Sequence, residues 1–175
     1  MGRRFVVTGA PCSGKTTLIN ELGRRGFYIV RESARRVLDL NPHMRHSSAT
    51  IGDRDLLQRN ILALQLEEER KIPPDRTAFL DSGIHSGIAY CEAVGLEPHE
   101  SLLAACEKNR YDGVFVLDRL PVYENDSVRQ QSSEEAQKLH ELLYVVYARF
   151  GHKPMRVPVM PVKERADFVE SCVGL

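Results

Sequence analysis

Short, uninterrupted apolar runs alternate along this chain with longer stretches in which apolar residues recur every three or four positions. The runs are Phe5-Val6-Val7, Phe27-Tyr28-Ile29-Val30, Ala78-Phe79-Leu80, Val114-Phe115-Val116-Leu117 and Met155 to Val159. A continuous run of this length suits a strand covered on both faces, so five buried strands are expected. Pro158 inside the last run, unable to donate to a ladder, assigns that strand to an edge.

The stretches between them read as helices. One opens with Thr17 to Leu22 and stops at Gly23 and Gly26. Ser33 is expected to cap a short helix carrying Ala34, Val37 and Leu38, which Asn41-Pro42 ends. Residues Pro42 to Gly52 are polar and loop-like. From Asp53, Leu57, Ile61 and Leu64 mark a long amphipathic helix, closed by Pro73-Pro74. Ser82-Gly83 turns the chain into a helix over Ile84 to Ala93. Pro98 starts another, with Leu102, Leu103, Ala105 and Cys106 as its apolar side. Ser132 and Glu135 form a capping-box signature before Leu139, Leu142, Leu143, Val146 and Phe150, and Pro161 starts a last helix with Val162, Phe168 and Val169. Strands alternating with helices predict a doubly covered α/β fold, a five-stranded parallel sheet with helices on both faces. The whole chain, residues 1–175, is expected to form one domain.

Chemistry concentrates first between the opening strand and helix. Gly9-Ala10-Pro11-Cys12-Ser13-Gly14-Lys15-Thr16, continued by Thr17, places two glycines five positions apart before Lys and Thr, the spelling of a phosphate loop. Glycines let the backbone close around an anion, exposed amides at the helix start point at phosphate, Lys15 reaches the terminal phosphates and Thr16 offers a hydroxyl to Mg²⁺. In a parallel α/β sheet, ligands sit outside the carboxyl ends of the strands. Glu32, Asp81 and Asp118 all follow apolar runs at that end. Asp81 is the preferred metal-side carboxylate, because the third strand is the expected neighbour of the first; Asp118 is the alternative, and a helix cap is the plainer role for either. Glu32 reads as a general base or a hydroxyl acceptor, or as a partner of Arg35 or Arg36. Residues Leu120 to Gln131 lack periodicity and form a lid-like loop at about 119–131, bracketed by Arg119 and Arg129, whose guanidinium forks suit a transferring phosphate.

Composition narrows the partners. Lys+Arg and Asp+Glu each total 24, so no basic excess points to nucleic acid or an acidic membrane. The chain is 175 residues and 42% hydrophobic, enough for one good core. Four scattered cysteines without CxxC pairs suit a reducing cytoplasm, and Cys12 is the one expected to be exposed. No stretch reads as a signal peptide or membrane span, which predicts a soluble intracellular protein. His43 and His46 have no further ligand at metal spacing.

Phe5 to Leu38, Phe79-Leu80-Asp81 with Gly83-Ile84 and Ala89-Tyr90, the run Pro121-Val122-Tyr123-Glu124-Asn125-Asp126 with Arg129, and Val157-Pro158 with Arg165 together resemble the small AAA-type, NadR-like P-loop NTPase and kinase domains. The resemblance spans nearly the whole chain. It implies ATP or GTP with Mg²⁺, a three-layer P-loop fold close to nucleoside and nucleotide kinases, and, as in some relatives, phosphoryl transfer to a small nucleoside-like acceptor. Kinases of that wider group place a catalytic acid just after the second strand, where Glu32 stands. Relatives carry Asp-Arg-Gly after the third strand; this chain has Asp81-Ser82-Gly83, so a phosphate-clamping arginine is replaced. The Asn-Lys-x-Asp of guanine-reading GTPases is absent, and nothing provides the helical lid domain of ring-forming motors. A nucleotide-dependent switch that hydrolyses slowly is the alternative expectation. Neither the acceptor nor the oligomeric state is written in the sequence.

Overall fold

The computed structural model describes residues 2–45, 50–120 and 133–174. Its strands are β1 (Arg4–Thr8), β2 (Tyr28–Val30), β3 (Ala78–Asp81), β4 (Gly113–Leu117) and β5 (Pro154–Val157). Helices α1 (Lys15–Arg24), α2 (Ser33–Leu40), α3 (Ile51–Arg70), α4 (Ser86–Ala93), α5 (Glu100–Lys108), α6 (Ser133–Arg149) and α7 (Val162–Val173) alternate with them. All strand pairs are parallel, in the order β2-β3-β1-β4-β5. The expected α/β sheet is therefore present, with β1 at its centre and β5 at an edge.

Side chains on successive strand residues point to opposite faces, and the two faces meet different helices. Val6, Leu80, Val114 and Val116 pack with Leu62, Ile88, Cys106, Leu139 and Leu143 on one side. Phe5, Val7, Phe79, Phe115 and Leu117 pack with Leu18, Ile19, Leu22, Ala166 and Val169 on the other. Three layers result, with α1 and α7 on the second face. The continuous apolar runs follow directly, because β1, β3 and β4 have no solvent-facing side.

Several local expectations are corrected. The second strand is not fully buried: it is an edge strand, and Tyr28 and Ile29 are half-covered. Ser33 is not a cap but the first residue of α2, its Oγ buried without a partner, while Glu32 occupies the cap position without a capping bond. Pro42–Arg45 form a 3-10 turn rather than loop. The long helix starts earlier than Asp53, because Thr50 and Asp53 complete a reciprocal capping box. The helix after Gly83 starts at Ser86, and Leu103 on α5 is exposed. Pro158 lies just past β5. Cys172 is the exposed cysteine, Cys12 being half-buried and Cys91 and Cys106 buried. Ser132 and His46 lie outside the described residues. No described helix is long and apolar enough to cross a membrane.

Candidate functional site

The connection from β1 to α1 is built around two glycines that fill different needs. At Gly14, φ is 84°, a left-handed conformation that costs an L-residue about 1–2 kcal/mol. At Gly9 φ is also positive, 156°, and space is a further need: a Cβ would sit 2.8 Å from Ser13 Oγ and 3.0 Å from the Leu117 carbonyl oxygen. Between them Cys12 also takes a left-handed conformation, φ 60°. Such backbone collects at ligand sites because it aims successive amides at one point.

Lys15 is the first residue of α1 and is 4% exposed. Its Nζ donates to the carbonyl oxygens of Gly9 (2.8 Å) and Ala10 (3.2 Å), so the side chain curls back over the loop it follows. Thr16 and Thr17, on the same first turn, are exposed, while Ala10, Pro11 and Ser13 are buried. A buried ammonium, a helix N-terminus and exposed hydroxyls thus meet at the carboxyl end of the central strand, an arrangement that favours an anion.

Asp81 ends β3 at the register of Val7, one strand from the loop, and is 5% exposed. Asp118 follows β4 on the other side of β1, but its two carboxylate oxygens accept from Arg156 Nε, both at 2.9 Å, and Arg156 Nη2 lies 2.8 Å away. The fork of Arg156 therefore occupies the alternative carboxylate. Glu32 stands at the end of β2, half-buried; Arg36, one of its expected partners, pairs with Glu68 instead (3.1 Å). Two strand spacings separate Glu32 from the loop strand, about 10 Å, with Asp81 on the strand between. Arg119 is half-buried beside the start of α6; Arg129 and the lid-like run Pro121 to Asp126 lie outside the described residues. Among the described residues no three His, Cys, Asp or Glu side chains gather as a metal cluster.

Two supports of this site are not evident from sequence patterns. The first is under the turn after Asp81. Ser82 is left-handed, φ 67°, its N–H donates to Val7 O (2.9 Å) and its carbonyl accepts from Gln65 Nε2 (3.1 Å). The hydroxyls of Tyr147 and Tyr111 accept from the amides of Gly83 (3.1 Å) and Ile84 (3.0 Å). Tyr111 Oη in turn donates to Glu69 Oε1 (2.9 Å), and Tyr147 Oη meets Ser86 Oγ (3.0 Å), which meets Thr8 Oγ1 (3.2 Å). Burial pushes both phenols up and raises Glu69, so both tyrosines keep their protons. The second support is Arg165 on α7, 3% exposed, which donates from Nη1 to Ser13 O (2.7 Å) and from Nε to Pro158 O (3.1 Å). Arg165 carries part of the family resemblance in the sequence but no role, and the other polar residues look like ordinary surface composition; only the topology brings them to these positions.

Comparison with known proteins agrees with this architecture. A family model described as AAA domain matches residues 4–165. No curated protein sequence matches the chain. Thymidylate kinase from Ehrlichia chaffeensis has a similar structure, with TM-score 0.69, 16% identity and 98% of each chain covered. Deoxyadenosine kinase from M. mycoides with bound dATP gives TM-score 0.71 at 12% identity over 99% of this chain and 100% of its own. NadR in complex with NR gives 0.75 at 20% identity, over 99% of this chain and 52% of its own, so the chain spans about half of NadR. At these identities the likeness is one of fold, and the fold is that of the P-loop nucleoside and nucleotide kinases.

Proposed function

Because the chain belongs to this AAA domain family, whose fold it shares with P-loop kinases, we propose that it binds ATP or GTP and transfers the γ-phosphoryl group to a small, nucleoside-like hydroxyl acceptor. The observation that carries the reading is the order of groups along the carboxyl edge of the sheet. The loop with Lys15 follows β1, Asp81 ends the neighbouring β3, and Glu32 ends β2 beyond it. Nucleotide phosphates at the loop would leave a strand's width for an acceptor between Asp81 and Glu32.

In this reading residues 9–17 cradle the phosphates with backbone amides, and Lys15 moves from the Gly9 and Ala10 carbonyls to the β- and γ-oxygens. Thr16 and Asp81 supply oxygens fit for Mg²⁺, a hard cation that takes one or two protein oxygens and completes its shell with water and phosphate. When bound, that ion offsets the charge of the β- and γ-phosphates. Glu32 accepts the proton of the acceptor hydroxyl as its oxygen bonds to the γ-phosphorus, and the bridging oxygen departs with the nucleoside diphosphate. Arg119, with Arg129 beyond the described residues, would supply cations on the lid side. The whole chain acts in this reading as one nucleotide-binding domain.

Glu32→Gln tests the assignment. It keeps the size and hydrogen bonding of the side chain and removes the base, so acceptor-dependent transfer should fall about 10²- to 10⁴-fold while nucleotide affinity is nearly constant. The assay is a panel of labelled ATP and GTP with candidate nucleosides, NR included, scored for phosphorylated product. A slow nucleotide-hydrolysing switch is the second reading, favoured by Ser82 in place of the relatives' arginine. It predicts hydrolysis without acceptor dependence, and no loss in Glu32→Gln.

A further inference from the structure

Among the described residues, Arg165 is a buried charge with no carboxylate paired to it. Its residue is 3% exposed, its two hydrogen bonds go to main-chain carbonyls, and Nη2 is buried with no partner among the described residues. No described carboxylate pairs with it. Asp118 is the acidic group that acts on it electrostatically, and Asp118 already holds Arg156. Burial pulls the pKa of Arg165 below the usual arginine value, yet a guanidinium starts so high that it remains charged. An uncompensated buried cation with an orphan donor is costly to a fold.

Its place suggests what offsets that cost. Nη1 donates to the carbonyl of Ser13, and a Cβ on Gly14 would lie 3.1 Å from the same nitrogen, so the guanidinium backs the phosphate loop directly. None of the loop's peptides is cis, so the Ser13 carbonyl and the Gly14 N–H of one planar group point in opposite directions. A full positive charge on the carbonyl side polarises that peptide and strengthens its N–H as a donor on the far side. The charge itself lies in a low-dielectric interior and projects through the thin loop.

We infer that Arg165 is a positioning and charge-supplying residue of the phosphate site, acting through the Ser13-Gly14 peptide to favour a polyphosphate over less charged ligands. The inference rests on the phosphate-loop reading above and adds a cation from the far end of the chain. Lys15 faces the ligand from the front; Arg165 acts from behind.

The test compares Arg165→Lys and Arg165→Gln with the wild-type chain, titrating inorganic tripolyphosphate, orthophosphate and ATP by calorimetry, with circular dichroism as the check of folding. Gln keeps a donor for the Ser13 carbonyl but removes the charge, and affinity for tripolyphosphate should fall about ten- to hundredfold, more than for orthophosphate. Lys keeps the charge and loses the fork, and should stay within about fivefold of wild type. Equal affinity of Gln and wild type would overturn the inference, and so would Lys binding as weakly as Gln, which would leave only a structural prop. If Gln does not fold, side-chain NMR on the wild-type protein decides. The Arg165 Nε–Hε resonance, identified by its absence in Arg165→Lys, should shift on saturation with tripolyphosphate, and an unmoved resonance refutes the role. Wild-type protein that binds neither tripolyphosphate nor ATP would instead refute the phosphate-loop reading itself.

Discussion

Replacing Gly83 by Ala should be among the most damaging single-methyl changes in the protein, although Gly83 has no unusual φ. The added Cβ would lie 2.7 Å from Tyr147 Oη, 2.8 Å from Val6 Cγ2 and 2.9 Å from Tyr111 Cε2. These three belong to α6, the central strand and the segment before β4, and all three residues are buried, so none can swing into solvent. Overpacking of this kind costs about 1–3 kcal/mol. If Tyr147 retreats to make room, the Gly83 amide loses its partner while the Ser86 hydroxyl keeps Thr8 Oγ1, which adds about 1–3 kcal/mol for one buried unsatisfied group. The total, about 2–6 kcal/mol, corresponds to a Tm lower by about 4–24 °C for a chain of this size. Thermal denaturation followed by circular dichroism measures it, with Tyr147→Phe and the double variant closing a cycle. Because the phenylalanine lacks the oxygen that the new methyl strikes, the two effects should fall short of additive by about 1 kcal/mol or more. A Gly83→Ala protein melting within a degree or two of wild type, or a strictly additive cycle, would refute the packing argument.

Asp81→Asn should abolish the Mg²⁺ dependence of nucleotide affinity, whereas Asp118→Asn should leave it intact and cost at most ~1 kcal/mol of stability, since its ion pair with Arg156 lies at the exposed surface; titrations with and without Mg²⁺ decide, and the reverse pattern would move the metal side to β4. His85, enclosed by Tyr111, Tyr147, Phe150 and His152, has its pKa lowered to about 4 by burial. The unfolded chain then binds the proton more readily than the folded one, so the contribution is full above about pH 6.5 and is lost as pH falls toward 4, by up to ~1.4 kcal/mol per pH unit. Urea unfolding of His85→Gln across that window should give a flatter dependence of stability on pH; parallel curves would count against it.

The fold was legible because its strands are buried on both faces, and such strands announce themselves as unbroken apolar runs. Where burial is partial the reading weakened: β2 gave the same apolar signal from Phe27 to Val30 although it lies at an edge, since Tyr and Ile serve a half-covered strand equally well. The loop of residues 9–17 was legible for another reason, that two glycines and a lysine are dictated by local geometry. Asp81 was preferred through the expected strand order, and Glu32 was singled out by its place after an apolar run and by the family resemblance. Gln65, Glu69, Tyr111, Tyr147 and Arg165 were not marked out as supports, because a polar side chain on a helix or at a strand start looks the same whether it faces water or another polar group. Their roles depend on partners as far as 152 residues away in sequence, between Arg165 and Ser13.

That separation has a consequence for how the protein is made. The central strand β1 is synthesised before its two neighbours, β3 and β4, and long before the arginine behind its loop. Non-local pairings of this sort form slowly, and an unpaired apolar strand is exposed to aggregation while it waits. A nascent chain released before α7 would hold every residue of the glycine-rich loop but lack the guanidinium on the Ser13 carbonyl. On the role inferred for Arg165, tight binding of a polyanion would then be acquired only once α7 is made, and a gain in that affinity would report that α7 has docked.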